Sequence, residues 1–307
     1  MATWFITDPV FLQHDTGPGH PECPARLQAV LRALEAPEFS ALQRHGAEAA
    51  APDQLSQVHD RFYVEEVLAA IPLQGLRSLD PDTMVSPATG EAALKAAGAL
   101  CQAVDAVATG AATRAFCAVR PPGHHAEPNR AMGFCLFNNV AVGAAHARRA
   151  HNLHHVAVVD FDVHHGNGTQ AMLGPRPGFL YISTHQYPLF PGTGSRGENR
   201  MGQLLNVPLA PGTGSEAFRE HVTNEVIPAL TRFQPDLIMI SAGFDAHRDD
   251  PLAGMNLEDE DYFWVTEELG AVADYCCQGR MVSTLEGGYD LAALGRSTAQ
   301  HVRALMD

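Results

Sequence analysis

Short apolar runs rich in β-branched residues alternate along the chain with longer stretches of helical period. The runs at Trp4–Thr7, Phe116–Val119, Val156–Asp162, Phe179–Ser183, Leu204–Val207, Leu237–Ser241 and Met281–Leu285 read as strands. Most carry apolar residues at consecutive positions, as a strand covered on both faces requires. Helical period occupies the stretches near Pro24–Glu35, Gly90–Thr109, Asn138–Ala150, Ser215–Phe233, Leu257–Cys277 and Leu291–Met306. The Ala-rich segment GEAALKAAGALCQAVDAVATG has both the period and the propensity of a long helix. This alternation predicts an α/β fold, a parallel central sheet with helices on both faces. No linker or composition break interrupts it, so residues 1–307 are expected to form a single domain.

The polar residues that end these strands suggest chemistry. In a parallel sheet all carboxyl ends share one edge, where ligands bind. Phe116–Val119 is followed by RPPGHHAEP, with His124 and His125, and Val156–Asp162 by VHHGNG. Leu237–Ser241 leads to AGFDAHRDDPL, with Asp245, and Met281–Leu285 to EGGYD, with Tyr289. Asp160, Asp162 and His164 alternate, so an extended backbone would put them on one face and turn His165 away. Asp162, His164 and Asp245 would then form a set of two carboxylates and one imidazole with an open position, the pattern of a catalytic zinc site. Helix capping or salt bridging is the plain structural alternative for each acid.

Two other motifs carry less. PGTGS at Pro191–Ser195 and again at Pro211–Ser215 lacks the lysine of a phosphate-binding loop and reads as turns. The tract HNLHHV, from His151 to Val156, reads as a solvated helix end feeding a strand.

Composition narrows the partners. The 307 residues are 46% hydrophobic and carry 35 acidic against 20 basic side chains, a formal charge of −15. That argues against nucleic acid, whose affinity comes from clustered Lys and Arg. No apolar run has membrane-spanning length, and MATWFITDPVF has no secretory pattern. The six cysteines include no CxxC pair, and several lie in apolar runs, so a reducing, cytoplasmic setting is expected.

The motifs together resemble the histone deacetylase superfamily, including bacterial deacetylase-like amidohydrolases and acetylpolyamine amidohydrolases. The matching segments are HPECPARL at His20–Leu27, RPPGHHA at Arg120–Ala126, GFCLFNNVA at Gly133–Ala141 and VVDFDVHHGNGTQ at Val158–Gln170. FPGTG at Phe190–Gly194, SAGFDAHRDDPL at Ser241–Leu252 and LEGGYD at Leu285–Asp290 complete the set. The HPExPxR segment, Asn167 after HHG, and the DPL at Asp250–Leu252 look more like class II than class I. The resemblance implies an arginase-like fold of about eight parallel strands and a zinc amidohydrolase acting on an acylated amine.

By motif match, Asp162, His164 and Asp245 hold Zn²⁺, with Fe²⁺ or Co²⁺ as other occupants. His125 is the general base, His124 protonates the leaving amine and Tyr289 donates to the oxyanion. Asp160 and Asn167 orient His124 and His125 respectively. A monovalent cation such as K⁺ would use Asp160, Asp162, His164, Ser183 and Thr184, with a plain hydrogen-bonded carboxylate as the alternative. Gly133, Phe134 and Phe190 would flank the substrate chain, and Leu252 would stand at the rim. An apolar rim favours acyl-lysine over acetylpolyamine, although Glu127 or the Asp82–Thr83 loop could attract a second ammonium. An acetylpolyamine amidohydrolase is the nearest alternative, and a two-metal ureohydrolase and a non-catalytic binder of acylated ligands are the further rival readings. Oligomeric state is left open.

Overall fold

The computed structural model describes residues 2–307. Its strands are β1 Thr3–Thr7, β2 Gln43–Gly46, β3 Arg77–Asp80, β4 Thr83–Val85 and β5 Arg114–Cys117, followed by β6 Val156–Asp160, β7 Phe179–Gln186, β8 Leu204–Leu209, β9 Leu237–Ala242 and β10 Met281–Leu285. Eight of them form one parallel sheet in the order β2-β1-β5-β10-β9-β6-β7-β8, so the expected single α/β domain is what forms. The helices Thr89–Thr109 and Asn139–His151 pack together along one side of the sheet. Asp259–Cys277, Leu291–Met306 and Pro24–Ala33 cover the other. Every residue of β5, β6, β7, β9 and β10 is buried, which is why their sequences run apolar without alternation.

Several boundaries differ from expectation for identifiable reasons. β6 ends at Asp160, not Asp162, because the Asp160 Oδ1 and Asp162 Oδ1 carboxylate oxygens accept from the backbone N–H two residues on and curl the chain. β5 starts and ends two residues earlier than its apolar run, and Val119 already lies in the loop. The stretch Ser215–Phe233 is not one α-helix. It holds a π-turn at Val222–Val226, where Ile227 N–H reaches back to Val222 O. Pro228 follows directly and has no N–H to continue the ladder.

Strand β2 (QRHG) and the antiparallel hairpin β3–β4 had no apolar signal, since β2 is an exposed edge and the hairpin lies outside the main sheet. The helices Arg61–Ala69 and Asn167–Leu173 were also not anticipated.

His301 shows how the core handles polar groups. The ring is fully buried against Phe116, Phe161 and Phe244, with Thr266 Oγ1 2.6 Å from Nδ1 and Ser283 Oγ 2.7 Å from Nε2. Burial pushes its pKa down to about 3. Below its ordinary value of about 6.5 the unfolded chain binds a proton that the folded chain refuses. This group's contribution to stability is therefore complete above that pH and is lost toward acid at about 1.4 kcal/mol per pH unit. Urea midpoints of wild type and His301→Gln should converge as pH is lowered from about 7 to about 5. A gap that stays constant would show that the ring does not titrate in this way.

Candidate metal and catalytic centre

The four strands expected to deliver chemistry, β5, β10, β9 and β6, are consecutive neighbours at the middle of the sheet. Their carboxyl-end loops therefore meet without any long reach. His164 Nδ1 lies 3.1 Å from both Asp162 Oδ1 and Asp245 Oδ2, and the three groups form a buried cluster suited to an ion. Tetrahedral ligand atoms about 2.0–2.1 Å from a zinc ion stand a little over 3 Å apart, so the spacing fits. The remaining carboxylate oxygens are fixed by backbone donors, Gly287 N–H to Asp162 Oδ2 at 2.8 Å and Val163 N–H to Asp245 Oδ1 at 2.9 Å. A side chain at Gly287 would collide with both carboxylates, and Gly288 has φ +120, which explains the paired glycines of LEGGYD.

The electrostatics call for a cation. Asp162 and Asp245 are fully buried. Burial and the neighbouring Asp162 raise the pKa of Asp245. Burial would raise Asp162 too, but His124 and the hydrogen bonds from His164 hold it low. Burial opposes charge on His164, yet hydrogen bonds to the two carboxylates push it up to about 10. Two buried acids sharing one imidazole form a donor set matched to a divalent ion.

The histidine pair sits beside this triangle with its rings 3.9 Å apart. His124 Nδ1 is 3.0 Å from Asp160 Oδ2, and His125 Nδ1 is 2.8 Å from Asn167 Oδ1. These contacts divide the pair. Burial alone would depress His124, but Asp160 and Asp162 hold it well above the usual imidazole value. Burial, with the charges of His124 and His164, holds His125 well below it. Tyr181, which the sequence did not single out, donates its hydroxyl to Asp160 Oδ2 at 2.9 Å.

A cavity of about 200 Å³ opens onto these groups. Gly133, Phe134, Phe190, Leu252 and Tyr289 all line it, together with Asp82 from the β3–β4 turn. Gly133 has φ +58, and a Cβ there would stand 2.5 Å from the His125 ring. Asp82 Oδ1 accepts from Gly133 N–H at 3.0 Å, so one rim acid is in place. Glu127 is not on that rim; its carboxylate turns inward to accept from Asn167 Nδ2 at 2.8 Å. His165 points away from the cluster, toward Thr193 and Gln170.

Asp160 pairs with Ser183 across the β6–β7 ladder. Ser183 Oγ lies 2.9 Å from His185 Nδ1, while Thr184 Oγ1 is buried without a partner.

Further supporting groups lay inside the motifs unremarked: Asp250, Glu286, Arg26 and the Arg120–Glu22 pair. Asp250 Oδ2 accepts from Tyr289 N–H at 2.6 Å and from Asp290 N–H, and so ties the Asp245 loop to the tyrosine loop. Burial, then the Asp245 charge, pushes its pKa up to about 7. Glu286 accepts from the backbone N–H of Gly123 and His124. Arg26 donates to Gly288 O and Glu286 O from HPECPARL, while Arg120 makes a buried bidentate pair with Glu22. Burial would raise the pKa of Glu22, but Arg120 holds it well below the usual carboxylate range. The one available signal was charged residues inside apolar motifs, which need buried partners.

A second convergence, Asp105 with His146 and His151, is partly exposed. His151 comes from the HNLHHV tract. Both Nε2 atoms lie within hydrogen-bond distance of Asp105 Oδ1, at 2.7 and 2.6 Å. Gln54 takes Ala51 N–H on its Oε1 and directs its Nε2 at His146 Nδ1, which leaves the proton of His146 on Nε2. The arrangement is a hydrogen-bonded clamp between two helices.

Comparison with known proteins identifies the family and the fold. A family model described as the histone deacetylase domain matches residues 20–305. Histone deacetylase 14, chloroplastic, of Arabidopsis thaliana is 39% identical over 311 residues, covering 94% of this chain and 73% of that protein. The histone deacetylase-like amidohydrolase of Pseudomonas aeruginosa is 40% identical over 295 residues, covering 94% of this chain and 77% of its own. The crystal structure of the HDA15 HD domain superposes with a TM-score of 0.94 at 34% identity, covering all of this chain and 88% of that one. Fold and family thus define a hydrolytic deacetylase. The chain belongs to the histone deacetylase family, whose members are generally metal-dependent. No helix among the described residues is long and apolar enough to cross a membrane.

Proposed function

We propose that this protein is a zinc-dependent hydrolase that removes acetyl or other acyl groups from lysine side chains. One observation carries the reading: His164 of the Asp162–His164–Asp245 triangle, the His124–His125 pair and Tyr289 line a single cavity together with Phe134 and Phe190. Zn²⁺ held by the triangle would supply Lewis acidity to the acyl carbonyl and bring the pKa of its water toward about 7. His125, with Nδ1 engaged by Asn167, offers Nε2 to the attacking water and takes its proton as the oxygen bonds to the carbonyl carbon. Tyr289 donates its hydroxyl to the oxyanion that forms. His124, kept protonated by Asp160 and Asp162, gives the departing amine its proton as the C–N bond breaks.

Fe²⁺ or Co²⁺ would suit the same ligands. A K⁺ site would draw on Asp160, Asp162, His164, Ser183 and Thr184; the orphaned Thr184 hydroxyl and the Asp160–Ser183 pairing support it. Free cysteines, most of them buried, support a reducing, cytoplasmic compartment.

The aromatic walls and the apolar Leu252 fit a lysine side chain bearing an acyl group. Asp82 favours acetylpolyamine as a second substrate class, because a carboxylate at the mouth attracts a distal ammonium. Acetyl-lysine peptides, longer acyl-lysine peptides and acetylputrescine, assayed with metal counted in the same preparation, test the reading. The expected result is a higher kcat/KM on the peptides with about one ion per chain. Ion-loaded protein that turns over none of them would refute it.

A further inference from the structure

We propose that Glu127 is a positioning residue for His125, acting through the side-chain amide of Asn167; the inference rests on the hydrolytic reading of the site. An asparagine beside an imidazole can present either its oxygen or its NH₂ to the ring nitrogen. The choice sets the tautomer. Oxygen toward Nδ1 requires Nδ1–H and leaves Nε2 as a lone pair facing the cavity. NH₂ toward Nδ1 would move the proton to Nε2, and the ring could no longer take a proton from water there.

Every neighbour of the Asn167 NH₂ is an acceptor. Glu127 Oε1 lies 2.8 Å away, His125 O 3.4 Å and Met132 Sδ 3.4 Å. A flipped amide would set its oxygen against the Glu127 carboxylate at hydrogen-bond distance, with no proton between them. The carboxylate therefore selects the amide orientation, and the orientation selects the tautomer.

Two further features hold the arrangement. Glu127 N–H donates to Arg130 O at 2.9 Å, closing a tight turn two residues beyond His125. Gly168, next to Asn167, lies so close to Ala126 that any side chain would run into its carbonyl, and the start of the Asn167–Leu173 helix is thereby pressed against residues 125–127. The HHAE and HHGNG segments thus form one device across the β5 and β6 loops.

The test compares Glu127→Ala, Glu127→Gln, Asn167→Ala and the Glu127→Ala/Asn167→Ala double variant in ion-loaded protein. Kinetics come first. Glu127→Ala should lower kcat by about 10–100-fold with KM little changed. Glu127→Gln, whose Oε1 still accepts from Asn167, should restore most of it. Removing Glu127 from the Asn167→Ala background should cost nothing more. The second readout needs no turnover. In ¹⁵N spectra of histidine-labelled protein, with His125 assigned from its loss in His125→Ala, the ring should be Nδ1–H in wild type and Glu127→Gln. It should be mixed in Glu127→Ala. Losses that add in the double variant, or an unchanged tautomer in Glu127→Ala, would overturn the assignment. A wild type that hydrolyses no acyl amide would refute the proposed function instead, and the spectra would still decide the role of Glu127.

Discussion

Replacing Tyr289 with phenylalanine should lower kcat by about 10²–10³-fold while metal content and KM stay near those of wild type. Burial raises the phenol's pKa well above its ordinary value; Arg26, 4.8 Å over the ring, works against this, and Asp245 and Asp162 add to it. The hydroxyl therefore remains protonated and available to donate. Phenylalanine keeps the ring in place against Phe134, and the backbone N–H of residue 289 still reaches Asp250. What disappears is one donor needed only as the carbonyl oxygen gains charge, so the loss should fall on kcat. Steady-state kinetics with metal analysis check this. A variant that sheds its ion, or melts well below wild type, would show that the phenol is structural.

Asp245→Asn should have the larger effect. Turnover should fall by more than about 10³-fold and the ion should be lost. Its stability is predicted to depend on the ion in a particular way. At free ion about 1,000 times Kd, loaded wild type should exceed its chelated form by about 4 kcal/mol. In chelator the order should change, with Asp245→Asn melting at or above wild type. The amide removes one of two buried like charges, while its oxygen still accepts from Val163 N–H. Thermal melts with and without a stringent chelator, paired with activity, measure both. Turnover that survives chelation, or an Asp245→Asn protein that keeps its ion, would remove the basis for a metal centre.

Much of this was legible beforehand because chemistry and hydrophobicity are separated along the chain. The runs of β5, β6, β9 and β10 are largely apolar, and the loop after each carries His, Asp or Tyr. A parallel sheet brings such endings to one edge. The alternation argument for Asp162 and His164 reached the right neighbours by an incorrect route, since the chain turns after Asp160 and the carboxylates themselves stabilise the turn. β2, the β3–β4 hairpin and the short Asn167–Leu173 helix were missed because they bury no continuous apolar stripe. The hairpin matters, as its turn supplies Asp82 to the cavity mouth.

Residue identities and local period were enough to state the fold class and to bring Asp162, His164 and Asp245 forward as candidate ion ligands. The roles given to His124, His125 and Tyr289, and the walls at Phe134 and Phe190, came instead from the resemblance of the motifs to a known family. The sheet order that makes β5, β10, β9 and β6 adjacent, the inward turn of Glu127 and the grip of Asp250 on the Tyr289 loop are different in kind. Each joins groups about 40 or more residues apart, through hydrogen bonds of 2.6–2.8 Å in the two carboxylate contacts. Such distances arise only when the crossovers pack and the buried polar groups must all find partners at once, a condition on the whole fold that no local pattern records.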